Sequence, residues 1–304
     1  MRHDRVMRIA VIGASGLIGQ HIGAELVARG HRVTSVARTP REGVDHALDV
    51  ETTGVDRWTG LLDGHDGYVF AAGSDDRATP RRPAYPHFRR GNVEPVAALS
   101  EAAARAGAGA AVVLGSYYTH FHRAHPEWEL AGRHPYIRSR VEQARAARRS
   151  GLPVTVLELP FVFGRAGARL PNWAPALASW ARSRVPLAAP PGGTAATTAR
   201  RVAEEAATAL EERADRDTPV ADENLTWAEL LARTAEAVGA PARTRRLPAA
   251  LVRGALVAGG ALAAVSGREP GLHLPGLGDL LLRELFVHPA TGSVQRALEE
   301  TFAR

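Results

Sequence analysis

Cysteine does not occur among the 304 residues, and neither does lysine, so all 38 basic side chains are arginine. Without cysteine there is no disulfide scaffold, thiolate metal site, redox pair or cysteine nucleophile. Without lysine there is no Schiff base, no phosphate loop ending in Gly-Lys and no lysine general base. Long apolar runs are missing too. The most membrane-like stretch, Ala249 to Val265, contains Arg253 and several glycines and falls short of the ~20 residues needed to span a bilayer. The charged start, Met1 to Arg8, followed by a glycine-broken apolar run, does not read as an export signal. A cytoplasmic protein with no membrane partner is the expectation. What is present is ordinary for a globular chain: 45% apolar and 23% charged residues, enough to bury a sizeable core in one α/β domain with a smaller appended lobe. The net charge of +6 is scattered. It suits anionic cofactors or substrates, with nucleic acid the weaker option.

Strand and helix patterns alternate along the first half. Arg8 to Ile12 reads as a buried strand, then a helix runs to about Arg29 and a second strand covers Arg32 to Ala37. Short strands follow around Val44 to Leu48 and at Tyr68 to Ala72, with a short helix at Asp56 to Leu62 between them. Helices at Asn92 to Ala106 and Tyr136 to Arg149 alternate with strands at Ala111 to Leu114 and Val154 to Leu159. This order predicts a doubly wound parallel sheet over residues 1–164. After Pro160, proline and glycine become frequent, and helical patterns return at Arg201 to Arg213, Thr226 to Val238, Pro248 to Val265 and Ser293 to Phe302. Residues 165–304 are therefore expected to form a smaller, mostly helical lobe, with some segments free to rejoin the sheet. Arg81 to Arg90 reads as a basic, aromatic loop.

The strongest local signal is Gly13-Ala-Ser-Gly16-Leu-Ile-Gly19, set between the first strand and the first helix. Gly13 permits a tight turn, Gly16 lets the backbone approach a pyrophosphate, and Gly19 lets helix and strand pack closely. The plain alternative is a glycine-rich turn without a ligand. The second strand leads into Arg38-Thr39-Pro40-Arg41, with no acid before Glu42. An acid there would bind the ribose hydroxyls of NAD, whereas Arg38 accommodates a 2′-phosphate, so NADP(H) is expected ahead of NAD(H). The alternative is that Arg38 is one more solvated arginine.

These residues resemble the fingerprint of extended short-chain dehydrogenases/reductases, the NAD(P)-dependent epimerase/dehydratase family. The likeness continues through Val69-Phe-Ala71-Ala72-Gly73, Asn92-Val93, Val112-Val-Leu-Gly-Ser116, Pro135-Tyr136-Ile-Arg-Ser139-Arg140 and Gly151 to Pro160 with Val162-Phe163-Gly164. It is dense to Gly164 and thin afterwards, Leu225-Thr226-Trp227 being similar to a late helix start. The resemblance implies a Rossmann fold and a site in which Tyr136 is the general acid/base and Ser116 binds the same substrate oxygen. It implies cofactor contacts from Gly13, Ser15, Gly16, Leu17, Ile18, Gly19, Asp49, Val50, Ala71, Ala72, Arg140, Pro160 and Val162, with Asp49 at the adenine amino group. A small-molecule alcohol or carbonyl would be the substrate, and helices Asn92 to Ala106 and Tyr136 to Arg149 could support a homodimer.

The chain departs from the family pattern where it matters for chemistry. The family has lysine four residues after the tyrosine, one helical turn on, and this chain has Arg140. Arginine supplies fixed charge and donors but is bulkier, planar and a poorer proton relay. Arg140 would support altered catalysis, mark a site that binds without turnover, or reflect the pressure that removed every lysine. Gly115, Glu158 and Thr197-Thr198 also differ from the usual serine, arginine and paired aspartates. A non-catalytic dinucleotide sensor or scaffold is therefore kept as the alternative, with a nucleic-acid-binding relative third. Tyr117, Tyr118, His120, His122 and His125 read as a loop that could line a substrate pocket. No carboxylate stands at ligand spacing among these histidines, and no metal site is assigned. The five tryptophans read as packing residues.

Overall fold

The computed structural model describes residues 6–241 and 243–303. Residues 1–5, part of the charged start, lie outside them. The first half runs β1 (Arg8–Ile12), α1 (Leu17–Ala28), β2 (Arg32–Ala37), β3 (His46–Ala47), α2 (Val55–Leu62) and β4 (Gly67–Phe70). It continues through α3 (Tyr85–Phe88), α4 (Glu94–Arg105), β5 (Ala110–Ser116), α5 (Tyr118–Ala124), α6 (Leu130–Arg133), α7 (Pro135–Ala147) and β6 (Val154–Leu159). Then come β7 (Phe161–Phe163), α8 (Ala174–Arg182), β8 (Leu187–Ala189), β9 (Gly193–Thr198), α9 (Ala199–Glu212) and β10 (Arg216–Pro219). The chain ends with β11 (Glu223–Thr226), α10 (Trp227–Ala237), β12 (Thr244–Arg246), α11 (Ala249–Val265), α12 (Leu274–Leu281), β13 (Glu284–Leu285) and α13 (Gln295–Phe302).

Seven parallel strands form the main sheet in the order β10-β6-β5-β4-β1-β2-β3. Alternation along β1 divides two cores. Ala10 and Ile12 face Trp58, Leu62, Val96, Leu99 and Ala103 of α2 and α4. Ile9 and Val11 face Ile22 and Leu26 of α1 and Val202, Ala206 and Leu210 of α9. Helices thus cover both faces, which is why the strands read as continuous apolar runs. The strand order reverses between β1 and β4, and in such sheets ligands bind at the carboxyl ends of the strands beside that switch point.

In the second half some segments rejoin the main sheet, and the remaining lobe carries strands as well as helices. Helix α9 packs on the main sheet beside α1, and β10 pairs with β6 at its edge. The lobe also holds a small sheet, β11-β9-β13 with β7 on β9, that places Phe161 to Phe163 over the strand ends. Glu158 is fully buried, and Arg123 of α5 reaches it with two 2.7 Å contacts. The Thr119 hydroxyl, with one proton to donate, lies within hydrogen-bond reach of the same carboxylate and, at 2.6 Å, of the Ser116 carbonyl, beside the turn that carries Ser116.

Candidate functional site

The turn after β1 is tied to β2 by two hydrogen bonds, from Gly13 N (2.8 Å) and Ala14 N (3.0 Å) to the Val36 carbonyl. Arg38 thereby emerges two residues beyond the anchor of the glycine turn. Gly13 has φ +92°, and a Cβ on it would lie 2.6 Å from the Ala71 carbonyl oxygen. A Cβ on Gly19 would lie 2.2 Å from the Gly13 carbonyl oxygen. Both positions therefore require glycine. Helix α1 opens behind Gly16, with no side-chain cap and no acid in its first turn. Its first N–H groups stay available, and the positive end of the helix faces outward, as an anionic pyrophosphate requires. The residues present fit a dinucleotide. Gly19→Ala is expected to abolish cofactor binding, because backbone must move to admit the methyl; calorimetric titration of the folded variant checks this.

In front of this turn is a cleft of about 650 Å³. Of the residues singled out in the sequence, Gly16, Leu17, Ile18, Ala71, Ala72, Ser116, Tyr136, Arg140, Pro160 and Val162 line it. Gly13, Ser15 and Gly19 shape the turn behind it and do not line it. Arg38 is exposed, and Asp49 and Val50 are half-buried on the far side of β2. The Asp49 carboxylate accepts from Glu51 N at 3.0 Å, a local turn contact.

The inner wall is built by α7. Its N-terminus is fixed from the smaller lobe: Tyr136 N donates to the Gly271 carbonyl at 3.0 Å, and His134 Nδ1 accepts from His273 N at 3.0 Å. Burial holds the His134 pKa down at about 4, so the ring is a neutral strut. Tyr136 is 6% exposed, edge-on to Phe88 and Tyr118. Arg140, one helical turn on, donates from Nε to the Tyr136 hydroxyl at 3.1 Å. Its other donors reach the Leu114 carbonyl (3.3 Å), the Gln143 Oε1 (3.0 Å) and the Ser74 carbonyl (3.1 Å). Burial raises the Tyr136 phenol above its ordinary pKa, while the Arg140 charge and hydrogen bonds with Arg140 and Ser116 oppose the rise.

The sequence reading missed several residues here. Asp75 and Asp76 follow β4 and line the cleft. Asp75 accepts from Arg77 (2.9 Å) and from Asn172 of the smaller lobe (3.0 Å), tying the two lobes across the opening. Burial raises the Asp76 carboxyl, the nearby Arg77 and Arg140 charges opposing. Paired acids at the carboxyl end of a central strand were the available signal. Asn92, picked out from the sequence only as part of the family likeness, is fully buried in a π-helical turn, Arg89–Val93, before α4. It accepts from Ser74 N (2.9 Å) and donates to Ser139 Oγ (3.0 Å), bracing the loop and the helix on either side of Arg140. Two loop expectations are corrected. Residues from Tyr118 to Ala124 form α5, with Tyr117 and Tyr118 lining the cleft. The basic loop contains α3, and Phe88 is buried against Tyr136. Trp173 packs on Phe161 and Phe163 but also lines the cleft.

The NAD(P)H-binding family matches residues 13–166. None of the curated proteins compared with the sequence matches it. Among solved structures, gox2253 superposes with a TM-score of 0.75 at 18% identity, covering 98% of this chain and 97% of that one. Human epimerase family protein SDR39U1 (isoform 2), solved with NADPH, gives 0.68 at 19% identity, covering 97% and 99%. The UDP-glucose-4-epimerase of Stenotrophomonas maltophila, solved with NAD and formylated UDP-arabinopyranose, gives 0.65 at 17% identity, covering 97% of each chain.

Proposed function

This chain belongs to the NAD(P)H-binding family, and from that premise we propose that it is an NADP(H)-dependent oxidoreductase or epimerase acting on a small alcohol or carbonyl compound. The observation that carries the reading is the Tyr136 hydroxyl, held at 3.1 Å by Arg140 on the inner wall of the cleft that the glycine turn faces. Gly13, Gly16 and Gly19 would hold the pyrophosphate, and Arg140, Pro160 and Val162 would border the nicotinamide half. A reduced nicotinamide held there would supply the hydride for carbonyl reduction. Tyr136 would give its phenolic proton to the carbonyl oxygen, and Ser116 would donate a hydrogen bond to that oxygen. Arg140 stabilises the phenolate left behind, a positive charge aimed where negative charge develops. The test is loss of NADPH absorbance with a panel of aldehydes and ketones; consumption tied to alcohol formation supports the reading.

A second reading, a dinucleotide sensor without turnover, is favoured by the use of Arg140's other donors. They are spent on two backbone carbonyls and Gln143, as in a structural clamp. Tight cofactor binding with no reduction of any carbonyl would select it.

The cofactor preference rests on Arg38. It is exposed and has no hydrogen-bonded or ionic partner among the described residues. Arg38→Ala is expected to weaken NADPH binding about tenfold or more and to leave NADH binding nearly unchanged; comparative titration reads both. The raised Tyr136 pKa gives a further expectation. The neutral phenol is the proton donor, and raising its pKa extends that form to higher pH. Carbonyl reduction should therefore be flat across neutral pH and fall only above the ordinary tyrosine value of about 10. A pH–rate profile falling through neutrality would contradict it.

A further inference from the structure

We infer that α11 docks this protein on the surface of an anionic membrane. The helix runs Ala249–Val265, and among its 17 residues only Val252 is buried. Leu251 (63% exposed), Val257 (55%), Leu262 (73%) and Val265 (88%) are four of the seven large apolar side chains exposed among the described residues. Leu251, Ala255, Ala258, Leu262 and Val265 recur at spacings of four and three, so they form one exposed stripe. No acid lies on the helix, and its single charge, Arg253, is neutralised by Asp279 at 2.8 Å.

The charges around the helix decide what covers it. Arg243, Arg245 and Arg246 stand exposed just before its N-terminus, with no acidic partner among the described residues. Arg268 is exposed just beyond its C-terminus, its backbone paired with that of exposed Arg81. A second copy packed antiparallel along the stripe would set the N-terminal arginines against Arg268. Packed in parallel, it would set them against their own copies. Both arrangements place cation on cation, whereas anionic headgroups complement both ends at once. At 1.5 Å per residue the helix is about 25 Å long, short of the ~30 Å hydrocarbon core. No helix of the described residues is long and apolar enough to cross a membrane. The expectation of no membrane partner rested on that length, which forbids crossing and leaves lying in the interface open.

The experiment is sedimentation of the full chain with vesicles of phosphatidylcholine alone and of an equal mixture with phosphatidylglycerol. Binding to the anionic vesicles is expected to exceed binding to the neutral ones by about tenfold or more and to weaken with added salt. Leu262→Gln with Val265→Gln should remove it, and Arg245→Gln with Arg246→Gln should weaken it, each with unchanged circular dichroism and thermal midpoint. Absence of binding to the anionic vesicles overturns the inference. So does a concentration-dependent dimer that Leu262→Gln with Val265→Gln dissolves, which would assign the stripe to a second copy.

Discussion

Tyr136→Phe is expected to lower turnover of a carbonyl substrate by about 10²–10⁴-fold, the usual worth of a positioned general acid. NADPH affinity should stay within about twofold, because the glycine turn and Arg38 are untouched. The substitution removes one oxygen and keeps the ring, so the edge contacts with Phe88 and Tyr118, at centroid separations of 5.7 and 6.5 Å, survive. Arg140 loses one acceptor of four and retains the Leu114, Gln143 and Ser74 oxygens. A large fall in kcat at constant cofactor affinity therefore reports chemistry and not collapse of the wall. Unchanged turnover would remove Tyr136 from the mechanism.

The second large effect is expected at Arg140, where charge and geometry can be separated. Arginine spreads its donors over a planar fork, and here they span Tyr136, Leu114, Gln143 and Ser74. Lysine carries its donors on one atom and cannot span that set. Arg140→Lys should leave buried acceptors unmet, at a cost of about 1–3 kcal/mol read as a lower thermal midpoint. It should nonetheless hold kcat within about tenfold, since the positive charge beside the phenol remains. Arg140→Ala should lose both, with turnover down about a hundredfold or more. Loss of the charge also removes an influence that lowers the Tyr136 pKa, so the phenol should titrate higher still. If Arg140→Ala kept full turnover, the residue would be a clamp between α7, β5 and the loop after β4, and nothing more.

The sheet was readable because its central strands are buried on both faces. Val11, Ile12, Val69, Val112 and Val113 make unbroken apolar runs, and each run ends at a glycine or a polar turn. The small sheet was not readable. Strand β9 is Gly-Thr-Ala-Ala-Thr-Thr, with no large apolar side chain and no apolar/polar alternation, and β13 has two residues, too few to show a period. Helix α5 was hidden for a different reason. Its Tyr-Thr-His-Phe-His stretch is poor in intrinsic helix formers, and the helix is held by packing of Phe121 and by the ion pair from exposed Arg123 to buried Glu158. Cleft-lining residues carried by a motif, such as Gly16, Ser116 and Tyr136, could be singled out from sequence. Asp75 and Asp76 could not, nor could the bracing role of Asn92, because what sets these apart is burial and the two lobes meeting at Asn172, which are tertiary facts.

The measurement that bears most directly on the account is a calorimetric titration of the full chain with NADPH and then NADH, repeated on Gly19→Ala. Saturable binding at one site is expected, tighter for NADPH than for NADH, and none in the variant, whose methyl would lie 2.2 Å from the Gly13 carbonyl oxygen. Absence of binding by either nucleotide to the unaltered chain would contradict it, and the chemistry assigned to Tyr136 and Arg140 would fall with it.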